Sequence, residues 1–390
     1  MSSDVHLLIK ADNLDSLRVF NSVDSAHNLL SKVDVCYMDP PYNTGNTNKT
    51  GFTYNDAMNG VQWLDFMRAR LIPTVPLLKD TGVIIVSIDD SEAHRLRVLM
   101  DEVFGQRNFI AQLVVDGGSP KNNARFFSIT HEYMLVYAKN KTALLRSGIK
   151  YRKYREGIDL VLDEYEKKKS RFKNDFPAFT AHMKSWMKDK PLSKRLKVFH
   201  NVDARGLYTY ADLSTPGEGE RYDVLHPITG KPCQIPSRGW GLSRDKLQVL
   251  IDEDRVIFGA DHTFQPLRKL YLEKKKDQVQ KGILDYPSRS STHLLEKILG
   301  RRSGFNNPKN LAMMTDLISL VCPPNGVVLD YFAGSGTTGH AVVEANKEDD
   351  GHRRFVLVTN NENGIFYEVC LPRVKFALQG ETDDLEVIEL

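Results

Sequence analysis

Residues 327–342, VVLDYFAGSGTTGHAV, read as a buried strand that stops at an acid, turns through glycines and enters a helix. The run is apolar from Val327 to Leu329 and ends on Asp330; Gly334 and Gly336 form the turn, and Thr337 and Thr338 open the helix. A second apolar strand follows in RRFVLVTNNEN, residues 353–363, and stops at Asn361 and Glu362. One strand–loop–helix–strand unit cannot cover both faces of a parallel sheet, so its neighbours must come from earlier in the chain.

The first 138 residues supply them. VHLLI at 5–9 reads as a short strand, with Leu14, Leu17 and Val19 beginning a helix. VDVCYM at 33–38 is a buried strand. Val61, Leu64, Met67, Leu71 and Leu78 recur near helical spacing over 61–79, where Pro73 and Pro76 must bend or interrupt the helix. GVIIVSIDD at 82–90 is a buried parallel-type strand ending in acids, Ser91 is placed to cap a helix from Leu96 to Phe104, and strands follow near 109–115 and 133–138. From 139 to about 290 lysine-rich helical segments and a Gly/Pro-rich passage replace this alternation. The expected fold class is α/β, a mostly parallel sheet assembled from N- and C-terminal parts, 1–138 and 291–390, with a lobe inserted at 139–290.

The strand at 33–38 runs into DPPYNTG, residues 39–45. In an open α/β sheet function sits at such strand ends. Pro40 and Pro41 fix the backbone, because proline locks φ and has no N–H, so a carboxylate, a free carbonyl and an aromatic ring leave one terminus together. The Asp39 carboxylate and the Pro40 carbonyl can each accept one hydrogen of an exocyclic amino group, and the Tyr42 ring can stack on its heterocycle. The plain reading of the same residues is a proline-rich turn with a solvent-facing acid.

Composition narrows the class. The 41% apolar residues suit a soluble fold, no apolar run approaches a membrane span, and MSSDVHLLIK has no signal-peptide pattern, so a cytoplasmic location is expected. Cys36, Cys233, Cys322 and Cys370 are far apart without paired spacing, which suggests neither a zinc site nor a disulfide framework. Charge is uneven: residues 139–205 hold 19 Lys and Arg against 8 Asp and Glu, an excess of 11 that leaves the remainder at −8 within a total of +3. Such an excess fits a solvated helix face, as at Lys167–Lys169, or a surface for a polyanion. Aromatics interleave with these cations, among them Phe172, Phe176, Trp186, Phe199 and Tyr210; most are expected in the lobe's own core, and a minority could stack on bases.

GSGTTG at 334–339 also fits the dinucleotide fingerprint, with Glu362 as its ribose acid. A nicotinamide or flavin enzyme would place that loop after its first strand, whereas here it lies near the C-terminus; the same geometry serves any adenosine cofactor. The full set of motifs is DPPYNTG at 39–45, SIDD at 87–90, HEYMLVYAK at 131–139, FNNPK at 305–309, DYFAGSGTTGHAV at 330–342 and NNEN at 360–363. In this order, catalytic motif first and glycine motif late, the chain resembles the β-group DNA adenine-N6 methyltransferases, nearest the modification subunits of type III restriction–modification systems.

The resemblance implies methyl transfer from S-adenosylmethionine (AdoMet) to N6 of adenine in double-stranded DNA, with Asp39, Pro40, Pro41 and Tyr42 as the catalytic turn and no metal. It implies an AdoMet pocket at Asp330, Phe332, Gly334, Gly336 and Thr337, with Glu362 or Asn361 on the ribose and Phe305, Pro308 and Lys309 near the adenine or methionine end. The lobe at 139–290 becomes a target-recognition region, and a homodimer and a restriction helicase–nuclease are the implied partners. His131 and Glu132 lead into a strand and receive no catalytic role. Type III modification subunits are usually longer than this chain. Cytosine-N4 methylation, for which the family more often carries Ser in place of Asp39, is the nearest alternative; RNA as substrate and a catalytically silent DNA-binding subunit are others.

Overall fold

The computed structural model describes residues 5–45, 58–118, 125–273, 277–287, 289–302, 304–305, 307–379 and 384–390. Contacts divide the chain into two units, one formed by residues 1–151 with 280–390 and the other by 152–279.

The first unit is built on a nine-stranded sheet. In order of hydrogen-bonded neighbours its strands are Ile283–Asp285, Phe109–Asp116, His131–Ala138, Leu78–Ile88, Val33–Met38, Val327–Asp330, Arg354–Thr359, His6–Lys10 and Leu385–Glu389. His131–Ala138 runs antiparallel to both neighbours, and the other pairings are parallel. The sheet therefore interleaves the two ends of the chain, with Val35 opposite Val328 and Cys36 opposite Leu329 at the seam.

Alternation along the seam strand sends side chains to two cores. Cys36 and Met38 join Leu17, Trp63, Met67, Leu71 and Leu99 on one face, beneath the helices Asn13–Asn21, Gly60–Thr74 and Ala93–Met100. Val35 and Tyr37 join Met314, Ile318, Val342 and Val374 on the other, beneath Leu311–Val321, Thr337–Asp349 and Leu371–Ala377. Helices on both faces explain why the central strands are apolar throughout. Successive strands depart in opposite directions from the seam, which makes it the topological switch point where such sheets place ligands.

Several boundaries differ from the sequence reading. The helix expected over 61–79 ends at Thr74, a short 3-10 turn containing Pro76 follows, and the next strand already begins at Leu78. Ser91 does not cap the helix that starts at Ala93; its N–H instead bonds Asp89 Oδ1 at 2.9 Å. The expected lobe edges at 139 and 290 lie inside the first unit. Leu144 packs in its core, and Ile283–Asp285 pairs with Phe109–Asp116.

The second unit has its own cores. The helices Ile158–Phe172 and Phe176–Lys188 stack Tyr165 and Phe172 on Phe179, with ring centroids 5.2 and 4.9 Å apart. Trp240 is buried, its indole N–H bonded to the Tyr222 carbonyl at 2.9 Å. These aromatics are packing residues, whereas Tyr210 is 49% exposed. Lys167 and Lys169 lie 3.8 Å from Asp163 and Glu166 on an exposed face, the ordinary pattern of a solvated helix.

Candidate active site

The strand Val33–Met38 is buried at every position and delivers Asp39 to the C-terminal edge of the sheet. The turn beyond is held from the side. The Trp63 indole donates to the Pro41 carbonyl at 2.8 Å, and Asn43, at φ 59°, donates to Glu92 at 2.7 Å while accepting from the Met58 N–H at 2.8 Å. Among the described residues no donor reaches the Pro40 carbonyl.

Asp39 has its nearest contacts on one oxygen. Oδ1 accepts from the Tyr42 hydroxyl at 2.9 Å and pairs with the Lys309 ammonium at 3.1 Å; among the described residues no hydrogen bond reaches Oδ2. The Tyr42 hydroxyl also lies 2.9 Å from Glu132 Oε2; its single proton serves one carboxylate at a time. Lys309 donates to that hydroxyl at 2.6 Å and to the Glu132 oxygens at 2.9 and 2.8 Å. Burial and the neighbouring Glu132 raise the Asp39 carboxyl above its usual range despite the opposing pull of Lys309. Burial works against the Lys309 ammonium, but the two carboxylates outweigh it and raise its pKa, so it stays charged. Burial, then Asp39 and Glu132, push the Tyr42 phenol well up, so it remains a neutral donor.

Two residues meet here that the sequence did not bring together with Asp39. Lys309, expected with the cofactor residues, has its ammonium on the DPPY turn. Glu132, given no role, meets both Tyr42 and Lys309. The cause is strand direction: an antiparallel strand brings its first residues to the edge where parallel strands end, and Tyr133 pairs with Ile88, the last residue of its neighbour. The one sequence signal was an acid opening an apolar run.

On the adjacent strand, the Asp330 carboxylate closes the glycine turn from within. Oδ1 accepts the Phe332 N–H at 2.9 Å and Oδ2 the Thr338 hydroxyl at 2.6 Å. Burial pushes this carboxyl up to about 7, against those two donors and with Asp39 adding to the rise. Gly334 and Gly336 have φ of 51° and 76°, and a Cβ on Gly336 would stand 3.1 Å from Cys370 Sγ. Glycine fits that turn without strain. Gly336 also precedes the helix Thr337–Asp349 without a side-chain cap. Beneath the turn the buried Arg373, unmarked by any motif, donates to Thr337 Oγ1 at 2.7 Å and Ser335 Oγ at 3.2 Å. The two motif strands are tied together where the Tyr331 hydroxyl meets Met38 Sδ at 2.9 Å and Thr74 Oγ1 at 2.8 Å.

Asn361 and Glu362 are exposed beyond the strand Arg354–Thr359, which neighbours the glycine-turn strand. Phe305 packs on Leu295, Ile365 and Val369, and Pro308 is buried beside Lys309. Asn306 of the FNNPK motif lies outside the described residues.

This arrangement can be set beside known proteins. The family model described as DNA methylase matches residues 33–365, which takes in both motifs and the segment between them. The chain belongs to the DNA methylase family. It is 31% identical over 398 residues to the type III restriction–modification enzyme EcoP15I Mod subunit of Escherichia coli, covering 92% of this chain and 58% of that one. It is 32% identical over 400 residues to the EcoPI Mod subunit of Escherichia phage P1, with the same coverage, 92% and 58%. The chain thus spans 58% of the length of these family members. The crystal structure of the M1.HpyAVI–SAM complex aligns over 95% of this chain and 98% of its own, at 14% identity and a TM-score of 0.42.

Proposed function

We propose that the chain transfers the methyl group of AdoMet to N6 of adenine in duplex DNA, as the modification component of a type III restriction–modification or related system acting in the cytoplasm. The observation that carries this reading is the parallel pairing of Val33–Met38 with Val327–Asp330, which sets the DPPY turn and the glycine turn side by side at one sheet edge. The names of the EcoP15I and EcoPI Mod subunits support the type III assignment.

The glycine turn fits an adenosine cofactor: two residues hold positive φ, and the helix beyond has no side-chain cap on its first N–H groups. Phe332, Gly334, Gly336 and Thr337 would cradle AdoMet, with Asp330 shaping the turn, Asn361 or Glu362 on the ribose, and Phe305 and Pro308 toward the adenine. When bound, AdoMet supplies a methyl group already activated on a sulfonium. Asp39 Oδ2 and the Pro40 carbonyl would hold the two hydrogens of the target amino group, draw its nitrogen toward tetrahedral and stabilise the positive charge that develops there. Asp39 is then placed to take the proton that the methylated nitrogen releases.

An amino group inside a duplex is out of reach, so the target nucleotide must leave the stack at a cost of a few kcal/mol. The basic unit at 152–279 and its flanks would offset that cost through phosphate contacts and read the target sequence. A homodimer, in which one copy reads DNA while the other methylates, and a restriction helicase–nuclease are the proposed partners. Labelled AdoMet and unmethylated duplex DNA test the reading: label is expected in DNA with the wild type and not with Asp39→Ala. AdoMet binding without transfer by the wild type would favour a silent DNA-binding subunit.

A further inference from the structure

The Lys309 ammonium has three N–H donors; its hydrogen bonds go to the Tyr42 hydroxyl at 2.6 Å and to both Glu132 oxygens at 2.9 and 2.8 Å, and Asp39 Oδ1 is an ion-pair partner at 3.1 Å. None of these hydrogen bonds falls on Asp39 Oδ2. The side chains of Lys309 and Glu132 are 12% and 25% exposed, so their pairing is shielded from the solvent screening that makes surface ion pairs weak. Glu132 Oε2 also lies 2.9 Å from the Tyr42 hydroxyl, whose one proton it shares with Asp39 Oδ1, and so bounds the far end of the ring. Removing the Glu132 charge would free the Lys309 ammonium from the carboxylate it holds through both oxygens, and the nearest remaining anion is Asp39. An ammonium closing on Oδ2 would compete with a target amino group for the same lone pairs.

We propose that Glu132 is a positioning residue of the methyl-transfer site: by holding Lys309 and Tyr42 against Asp39 Oδ1, it keeps Oδ2 and the Pro40 carbonyl open as the pair of acceptors for the target amine. This rests on the methyl-transfer reading above. In this assignment Glu132 acts through Lys309 and Tyr42, the two residues it meets, so its loss should slow transfer and leave AdoMet binding alone.

Single-turnover methyl transfer to duplex DNA and AdoMet affinity by calorimetry, measured on the full chain, test it. Glu132→Gln should lower the transfer rate about tenfold or more with AdoMet affinity within about twofold of wild type, and Glu132→Asp should recover part of the rate. Glu132→Gln added to Lys309→Met should cost little beyond Lys309→Met alone, because the two act as one unit. A Glu132→Gln protein transferring at the wild-type rate, or a double variant showing the product of the two single losses, overturns the inference. Wild-type protein run alongside separates the levels: no transfer by the wild type overturns the functional reading and this inference with it, whereas an active wild type matched by Glu132→Gln overturns the inference only.

Discussion

Lys309 Nζ lies 3.1 Å from Asp39 Oδ1, an ion pair that joins the turn after one motif strand to the residue preceding the Asn310 cap of the helix Leu311–Val321. It loads one oxygen of the acid on which the proposed chemistry turns and leaves the other open. Asp39→Ala should therefore abolish the acceptor without disturbing the glycine turn. Methyl transfer should fall by about 10²-fold or more, with AdoMet and DNA affinities little changed. A filter-binding and transfer assay on the same preparation checks both halves, and full activity in the variant would rule out the mechanism.

Gly336 combines φ of 76° with a Cβ position 3.1 Å from Cys370 Sγ and 3.3 Å from Val374 Cγ2. A β-branched residue there meets both the left-handed backbone penalty, about 1–2 kcal/mol, and a steric one. Gly336→Val should weaken AdoMet binding by about tenfold or more in calorimetry. Unchanged affinity would mean the pocket lies elsewhere.

Burial raises the Asp330 carboxyl from 3.8 to about 7, although the Thr338 hydroxyl and Phe332 N–H oppose the rise. The folded protein thus keeps a proton at this site that the unfolded chain has released. On this group's account stability is greatest below about pH 4 and declines as pH rises toward about 7, by at most about 1.4 kcal/mol per unit. Asp330→Asn should remove that contribution. Urea unfolding of both proteins at several pH values between about 4 and 8 gives the comparison, and parallel pH trends would contradict the assignment.

Trp63 is fully buried and its indole is the donor to the Pro41 carbonyl at 2.8 Å. Trp63→Phe keeps most of the packing and leaves that carbonyl without its donor, which should cost about 1–3 kcal/mol in denaturant unfolding. Transfer should slow as well, because the turn carrying Asp39 loses its lateral tie. Full transfer activity at lowered stability would show that the tie serves the fold alone.

What could be read in the sequence follows from strand chemistry. Central parallel strands are buried on both faces, so Val33–Met38, Val327–Asp330 and Arg354–Thr359 appear as apolar runs with their acids and glycines at the functional edge. Leu385–Glu389 was not visible, because LEVIE is a short run broken by two acids without regular alternation and becomes a strand by pairing at the sheet's edge with His6–Lys10. The site divided the same way. The DPPY and glycine turns are local, whereas the meeting of Glu132 with Lys309 depends on one strand running backwards, and sequence periodicity carries no direction.

The most direct measurement is mass spectrometry of the nucleosides from unmethylated duplex DNA incubated with the protein and AdoMet. The account predicts N6-methyladenine, absent when Asp39→Ala replaces the wild type. N4-methylcytosine would contradict the choice of base that Asp39 supports, and no modified base from a protein that still binds AdoMet would contradict methylation of duplex DNA altogether.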